Sequence, residues 1–194
     1  MVLEYFHTAY HHVPPWDIGR PQREFVRLEK EGEIKGRVLD VGCGTGENAL
    51  YLGKLGYEVW GVDAVESAIE KAKAKALDRG IVTSFLVSNA LELGRLEKRF
   101  DTVIDSGLFH ALLDEERSLF IGSVGEVLKP AGAYFMLCFS DLEPGSWGPR
   151  RVSRGEIRRA FKSGWRINYI REAQFETNVS SGWSRAWLSS IRRL

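Results

Sequence analysis

Three glycines at alternate positions, Gly42, Gly44 and Gly46, stand between two acids, Asp40 and Glu47, in the stretch VLDVGCGTGEN. Glycines packed this densely after an apolar run let a backbone approach a ligand, because no Cβ intervenes. A further acid, Asp63, closes the next apolar run, VWGVD. Downstream, FDTVIDSGLFH ends in His110, and an unperturbed histidine titrates near neutrality, which suits a general base. The plainer reading of His110 is a histidine packed at the start of a helix, hydrogen-bonded and idle.

Two ligand classes use a strand, a glycine turn and a helix N-terminus: dinucleotides and S-adenosylmethionine. The dinucleotide fingerprint is G-x-G-x-x-G/A. Here the spacing is G-x-G-x-G, and Glu47 stands where that fingerprint has its third small residue. Beside a pyrophosphate, Glu47 and Asp40 would be repelled; two like charges about 6 Å apart cost roughly 3 kcal/mol at an effective dielectric near 20. The same acids favour a ligand carrying an ammonium and a sulfonium. In either class Asp63 would accept hydrogen bonds from ribose hydroxyls; the plainer role is a helix N-cap.

Elements that could position these residues follow from hydrophobic patterning. Short apolar runs at 37–41, 58–62, 84–87, 102–105 and 133–139 predict strands. Helical patterns at 48–55, 66–79, about 91–98 and 115–128 lie between them, and the alternation predicts a mainly parallel sheet covered on both faces. Gly56 and Gly80 read as helix stops, Asp114 as a cap, and Pro130 as the end of the helix that Asp114 starts. Ser153 and Glu156 have capping-box spacing for a short helix through Phe161. The tail reads as two strands joined by VSSG, hence an antiparallel hairpin. Before the glycines lie a proline-marked loop, HHVPPWDIGRPQ, and a helix over 22–31 with Phe25, Val26 and Leu28 on one face.

Taken together, residues 38–46 with Asp63, FDTVIDSGLFH and VLKPAG resemble the class I S-adenosylmethionine-dependent methyltransferases. The resemblance implies a Rossmann-like α/β fold: a doubly wound, seven-stranded sheet of order 3-2-1-4-5-7-6 with strand 7 antiparallel. PPWDIGRPQ and DSGLFH are similar to enzymes of that family that methylate heterocycles, quinols, thiols, halides and thiopurines. By that match Trp16 packs on the cofactor, Gly42 and Gly44 line its methionine end, and Asp63 holds ribose with Ala64 beside it. Asn89 and Ala90 bracket adenine, and Ser106 meets the methionine portion. Asn89 departs from the family's usual Asp but keeps a carbonyl acceptor. Asp40 completes the cofactor set, on its charge. The resemblance implies S-adenosylmethionine as cofactor, S-adenosylhomocysteine as product, and a small nucleophile (a thiol, a phenol or quinol, or a ring nitrogen) as acceptor. The rivals are a nicotinamide-dependent oxidoreductase and a non-catalytic cofactor-binding module.

Displacement at a sulfonium needs a placed nucleophile, and a base only if the nucleophile arrives protonated. His110 is the base candidate. Tyr10 and His11 in the N-terminal loop, Phe109 after strand 4 and Trp147 in the loop after strand 5 are candidate pocket residues; Phe109 reads equally as core. His7, His11 and His12 lack the further ligands a zinc site wants, so no metal is expected. Cys43 reads as a small side chain in a tight turn.

The whole-chain properties set bounds. The 194 residues fit one domain, 1–194, with 1–35 as a lid and helix over the cofactor site. A formal net charge of +1 argues against nucleic acid as partner. No apolar run approaches a membrane span and no basic head precedes an apolar stretch at the N-terminus, so a cytoplasmic protein is expected, with Cys43 and Cys138 as reduced thiols. The oligomeric state has no signature in the sequence.

Overall fold

The computed structural model describes residues 2–179 and 182–194. Five strands run parallel: β1 (Val38–Val41), β2 (Val59–Asp63), β3 (Ser84–Val87), β4 (Phe100–Ser106) and β5 (Leu128–Phe139). A C-terminal hairpin, β6 (Trp165–Glu176) and β7 (Trp183–Arg193), completes the sheet, with β7 antiparallel to both β5 and β6. The order is β3-β2-β1-β4-β5-β7-β6, as the resemblance implies. The hairpin connection includes Ser180 and Ser181, which lie outside the described residues.

The helices are α1 (Val2–Ala9), α2 (Arg23–Lys30), α3 (Glu47–Lys54), α4 (Glu66–Asp78), α5 (Asp114–Val127) and α6 (Arg154–Ala160), with a 3-10 segment at Ala90–Leu96. Strand residues alternate between two buried layers because successive side chains leave a sheet on opposite faces. On one face Val103, Tyr134, Met136, Cys138 and Trp187 meet Phe120 and Val124 of α5 and Ile157 of α6. On the other, Ile104, Phe135, Leu137, Phe139, Phe175 and Leu188 meet Phe25 of α2, Leu50 of α3 and Ile69 of α4.

The local signals fare unevenly. Gly56 and Gly80 take left-handed φ values of +91° and +62° directly after α3 and α4, as helix stops do. Ser153 and Glu156 form the expected capping box, each side chain bonding the other's backbone N–H. Asp114 is not the cap of α5. Leu113 holds that position, and its backbone N–H donates to Glu116 Oε2 at 2.8 Å. Nor does Pro130 end a helix. β5 begins at Leu128, and Pro130 lies inside it, where the register shifts and Ala131 takes a φ of +59°. A bulge tolerates a residue without an N–H. The helix α1 has no counterpart in the sequence reading.

Candidate functional site

The parallel strands end at one edge, and the glycine turn follows the central one. β1 lies between β2 and β4, so Asp40 pairs in register with Gly61 and Ile104. Gly42, Gly44 and Gly46 all take positive φ (+68°, +54° and +87°), which side chains disfavour. A Cβ on Gly44 would stand 2.5 Å from Tyr10 Oη, and one on Gly42 3.1 Å from Leu108. The turn thus presents bare backbone between Tyr10 of the N-terminal segment and Leu108 of the loop after β4.

Asp63, at the end of β2, ties this turn down. Its Oδ2 accepts the Gly44 N–H at 2.8 Å and its Oδ1 the Val65 N–H at 2.9 Å. Burial raises its carboxyl pKa, while the Val65, Gly44 and Ala64 amides pull it back. Ala64 is half-buried beside it. Ser88, after β3, donates its N–H to the Asp63 carbonyl at 2.9 Å, which draws the β3 end toward Asp63. Asn89 is exposed, with its Oδ1 capping the 3-10 segment at Leu91 N (3.0 Å), and Ala90 is half-buried next to it.

The N-terminal segment closes over the turn. Trp16 Nε1 donates to Tyr10 Oη at 3.1 Å, and both rings pack with Phe6 over Val65 and Ala68. Burial raises the Tyr10 phenol pKa. Thr45 Oγ1 donates to Asp17 Oδ2 at 2.9 Å, so the PWD stretch is bonded to the glycine turn itself. At the other end Asn178 donates its backbone N–H to Pro15 O and its Nδ2 to Pro14 O. His11, expected beside Tyr10, is exposed.

Two electrostatic expectations are overturned. Glu47 does not face the turn's open side. Arg79 grips it with both Nη atoms at 2.7 and 2.9 Å, and Lys75 reaches it at 2.8 Å. Burial raises its pKa, but these hydrogen bonds outweigh that and hold the carboxyl below its ordinary value. Asp40 is fully buried, with Oδ2 accepting Ala49 N–H at 3.1 Å and Oδ1 without a partner among the described residues. Burial pushes its pKa up to about 8, so near neutrality it is mostly protonated. Neither acid presents the charge on which the preference for a cationic nucleoside was argued. Replacing Glu47 with glutamine is accordingly expected to cost about 1–2 kcal/mol of stability, since charged hydrogen bonds are lost to a partly exposed pair. Cofactor affinity should stay within about twofold; a larger loss in calorimetry would return Glu47 to the binding face.

Asp40 also gives a pH signature. Its carboxyl pKa rises from 3.8 unfolded to about 8 folded, so the native state holds a proton the unfolded chain releases. That stabilisation is complete below the unfolded pKa and lost as pH climbs through the folded one. Asp105, pushed up to about 7 by burial, adds the same sign. Thermal melts should show stability falling from about pH 5 to about pH 8, and Asp40→Asn should make the fall shallower. Equal slopes would contradict the buried, protonated Asp40.

Asp105 has a structural role that no sequence pattern announces. Its carboxylate accepts Leu108 N–H at 2.7 Å, Phe109 N–H at 3.1 Å and the Tyr134 hydroxyl at 2.8 Å. This turns the chain sharply after Ser106, which is half-buried at the end of β4. Phe109 is driven into the core, 1% exposed, with Phe161 at 6.0 Å and the Arg117 guanidinium over its ring at 4.7 Å. Of its two readings it takes the core one, in the layer beneath α5 on the face of the sheet opposite Phe139 and Phe175. His110 goes to the opposite face, packing on Phe139 at 5.1 Å and Phe175 at 5.6 Å. Its Nδ1 accepts the Phe139 N–H at 2.9 Å. Burial pushes its pKa down to about 3, with Arg117 and Arg151 acting in the same direction. A neutral imidazole with Nδ1 accepting carries its proton on Nε2. His110 therefore offers a donor, and the expected base is absent in this tautomer.

Trp147, 42% exposed, stacks edge-on against Phe139 at 5.7 Å. Its loop is pinned by Arg151, which donates to the carbonyls of Trp147 and Pro149 at 2.7 and 2.6 Å. Gly107 abuts both His110 and Phe175, since a Cβ there would lie 3.2 and 3.0 Å from their rings. The aromatic group is thus continuous, through Gly107 and Leu108, with the glycine turn. Cys43 is no nucleophile candidate: burial first, then Asp40 and Asp63, push its thiol well above the ordinary range.

A methyltransferase domain family matches residues 38–132. The 2-heptyl-1-hydroxyquinolin-4(1H)-one methyltransferase of Mycobacteroides abscessus is 36% identical over 168 residues, covering 85% of this chain and 74% of that one. The chain belongs to the class I S-adenosylmethionine-dependent methyltransferases. An Arabidopsis thaliana methyltransferase named "Probable thiol methyltransferase 2" is 31% identical over 145 residues, covering 73% of this chain and 64% of that protein. A structure solved for the conversion of a disulfide bond into a thioacetal group during echinomycin biosynthesis is 35% identical, with a TM-score of 0.91 over 100% of this chain and 93% of the other. The cofactor of this methyltransferase is S-adenosylmethionine. The bare glycine turn and the Asp63 carboxylate bonded to it suit a ligand with a flexible chain and a ribose.

Proposed function

We propose that the chain, acting as a single domain with residues 1–35 as its lid, methylates a small aromatic or soft nucleophile: a thiol, a phenol or quinol, or a ring nitrogen. The observation that carries this reading is the aromatic group of His110, Phe139, Phe175 and Trp147 at the carboxyl edge, joined by Gly107 and Leu108 to the glycine turn. The quinolone methyltransferase and the thiol methyltransferase among the relatives support it. Two unpaired thiols fit a cytoplasmic setting.

When bound, the cofactor supplies an electrophilic methyl group on a sulfonium. Gly42 and Gly44 would hold its methionine end together with Ser106, Asp63 the ribose with Ala64 alongside, and Asn89 and Ala90 the adenine, with Trp16 packing on the cofactor. Asn89 keeps one lone pair beyond the bond it accepts from Leu91, enough for an adenine amino group. The lid excludes water, and the aromatic wall desolvates the nucleophile and orients it. Placement of this kind supplies much of the acceleration for an in-line displacement.

With His110 carrying its proton on Nε2, the acceptor's own ionisation sets the rate. The pH profile of kcat/KM for a thiol acceptor such as thiophenol should follow the thiol's pKa, with no break at an ordinary histidine value of about 6.5. A break there that vanishes in His110→Asn would restore His110 as the base.

A further inference from the structure

The antiparallel pairing of β6 and β7 aligns two hydroxyls with the aromatic group. Phe175 pairs with Ser184, and Thr177 N–H bonds Gly182 O one step further on. Residues directly opposite, and residues two apart on one strand, share a face of the sheet. Thr177, Ser184 and Phe175 are therefore on one face, beside the Phe139–Ala186 pair and at the same carboxyl edge. Thr177 is 8% exposed and Ser184 fully buried, yet neither hydroxyl has a partner among the described residues. A buried donor left unmade costs free energy, so such a pair is informative where it lies beside a binding site. Asn178, next to Thr177, is the residue bonded to Pro14 and Pro15 of the lid. The two hydroxyls thus lie where the lid meets the aromatic wall.

We infer that Thr177 and Ser184, with the Nε2–H of His110, form the polar end of the acceptor pocket, and that the acceptor is a planar aromatic carrying an exocyclic oxygen. The inference rests on the function proposed above. Phe139 and Phe175 cross at 5.3 Å and 67°, and His110 meets Phe139 at 76°, an edge-to-face wall suited to a flat ring. An exocyclic carbonyl or hydroxyl oxygen accepts from both hydroxyls or from one hydroxyl and the imidazole. A third buried, unpartnered hydroxyl, Ser189, pairs with Met136 on the opposite face, away from this edge, and is the control.

The test is calorimetric binding of 4-hydroxyquinoline and of quinoline to protein saturated with S-adenosylhomocysteine. The wild type should prefer the oxygenated probe by about tenfold or more, the value of one to two hydrogen bonds. The Thr177→Val, Ser184→Ala double variant should prefer it by about twofold or less, while Ser189→Ala keeps the wild-type preference. Removing unsatisfied hydroxyls should leave Tm unchanged or higher. Equal affinity of the wild type for both probes, binding of neither, an unchanged preference in the double variant, or a Tm lower by several degrees overturns the inference. Absence of S-adenosylhomocysteine binding, measured before any probe is added, instead overturns the function on which it rests.

Discussion

Replacing Asp63 with alanine is expected to weaken S-adenosylhomocysteine binding about 10- to 150-fold. The carboxylate is the acceptor for both Gly44 N–H and Val65 N–H, at 2.8 and 2.9 Å. It would also meet the ribose. Its loss removes the ribose bonds, worth roughly 1.5–3 kcal/mol, and releases the turn that holds the amino-acid end. Asp63→Asn separates the two effects: its amide oxygen still accepts one backbone N–H, so stability should recover further than affinity. Calorimetry on both variants checks this, and a dissociation constant unchanged in Asp63→Ala would contradict the ribose assignment.

Gly46→Ala should carry the largest stability loss. Gly46 takes a φ of +87°, and a Cβ would meet Phe85 Cζ at 2.7 Å and Ala72 Cβ at 3.0 Å. Phe85 is buried between the sheet and α4, so neither neighbour has room to retreat. Left-handed backbone strain of about 1–2 kcal/mol adds to overpacking of about 1–3 kcal/mol. A loss of about 2–5 kcal/mol corresponds to a Tm lower by about 4–20 °C in a chain of this size. A melt within a degree of wild type would show that the turn has slack that this geometry lacks.

The sheet was legible in the sequence because its information is local. Each strand is a short apolar run with a turn signal after it, and the hairpin needs only a short connection between two such runs. The helix α1 was not legible: its eight residues are short for a helix in isolation, and it owes its order to the packing of Phe6 and Tyr10 with Trp16 over α4. The glycine turn and Asp63 were legible because backbone conformation and strand ends leave a pattern. The electrostatics were not. Glu47 finds Lys75 and Arg79 one α/β unit away, and Asp40 loses its charge to burial by α3; neither follows from spacing. Phe109 and His110 show the limit most clearly. They are adjacent, and Asp105 sends one to each side of the sheet. Their fates depend on a carboxylate that reads in sequence as one more strand residue. Phe175, with Thr177 and Ser184 on the same face, comes beside His110 only through the β6–β7 register, about 65–75 residues further along the chain.

Methyl transfer itself is the most direct test. Purified protein would be incubated with methyl-labelled S-adenosylmethionine and, in separate reactions, thiophenol, 4-hydroxyquinoline, a quinol, RNA, DNA and an unfolded polypeptide. Label recovered in an organic-extractable small product, lost in Asp63→Ala, is the expected result. Label found in the nucleic acid or polypeptide, and in none of the small acceptors, would contradict the account.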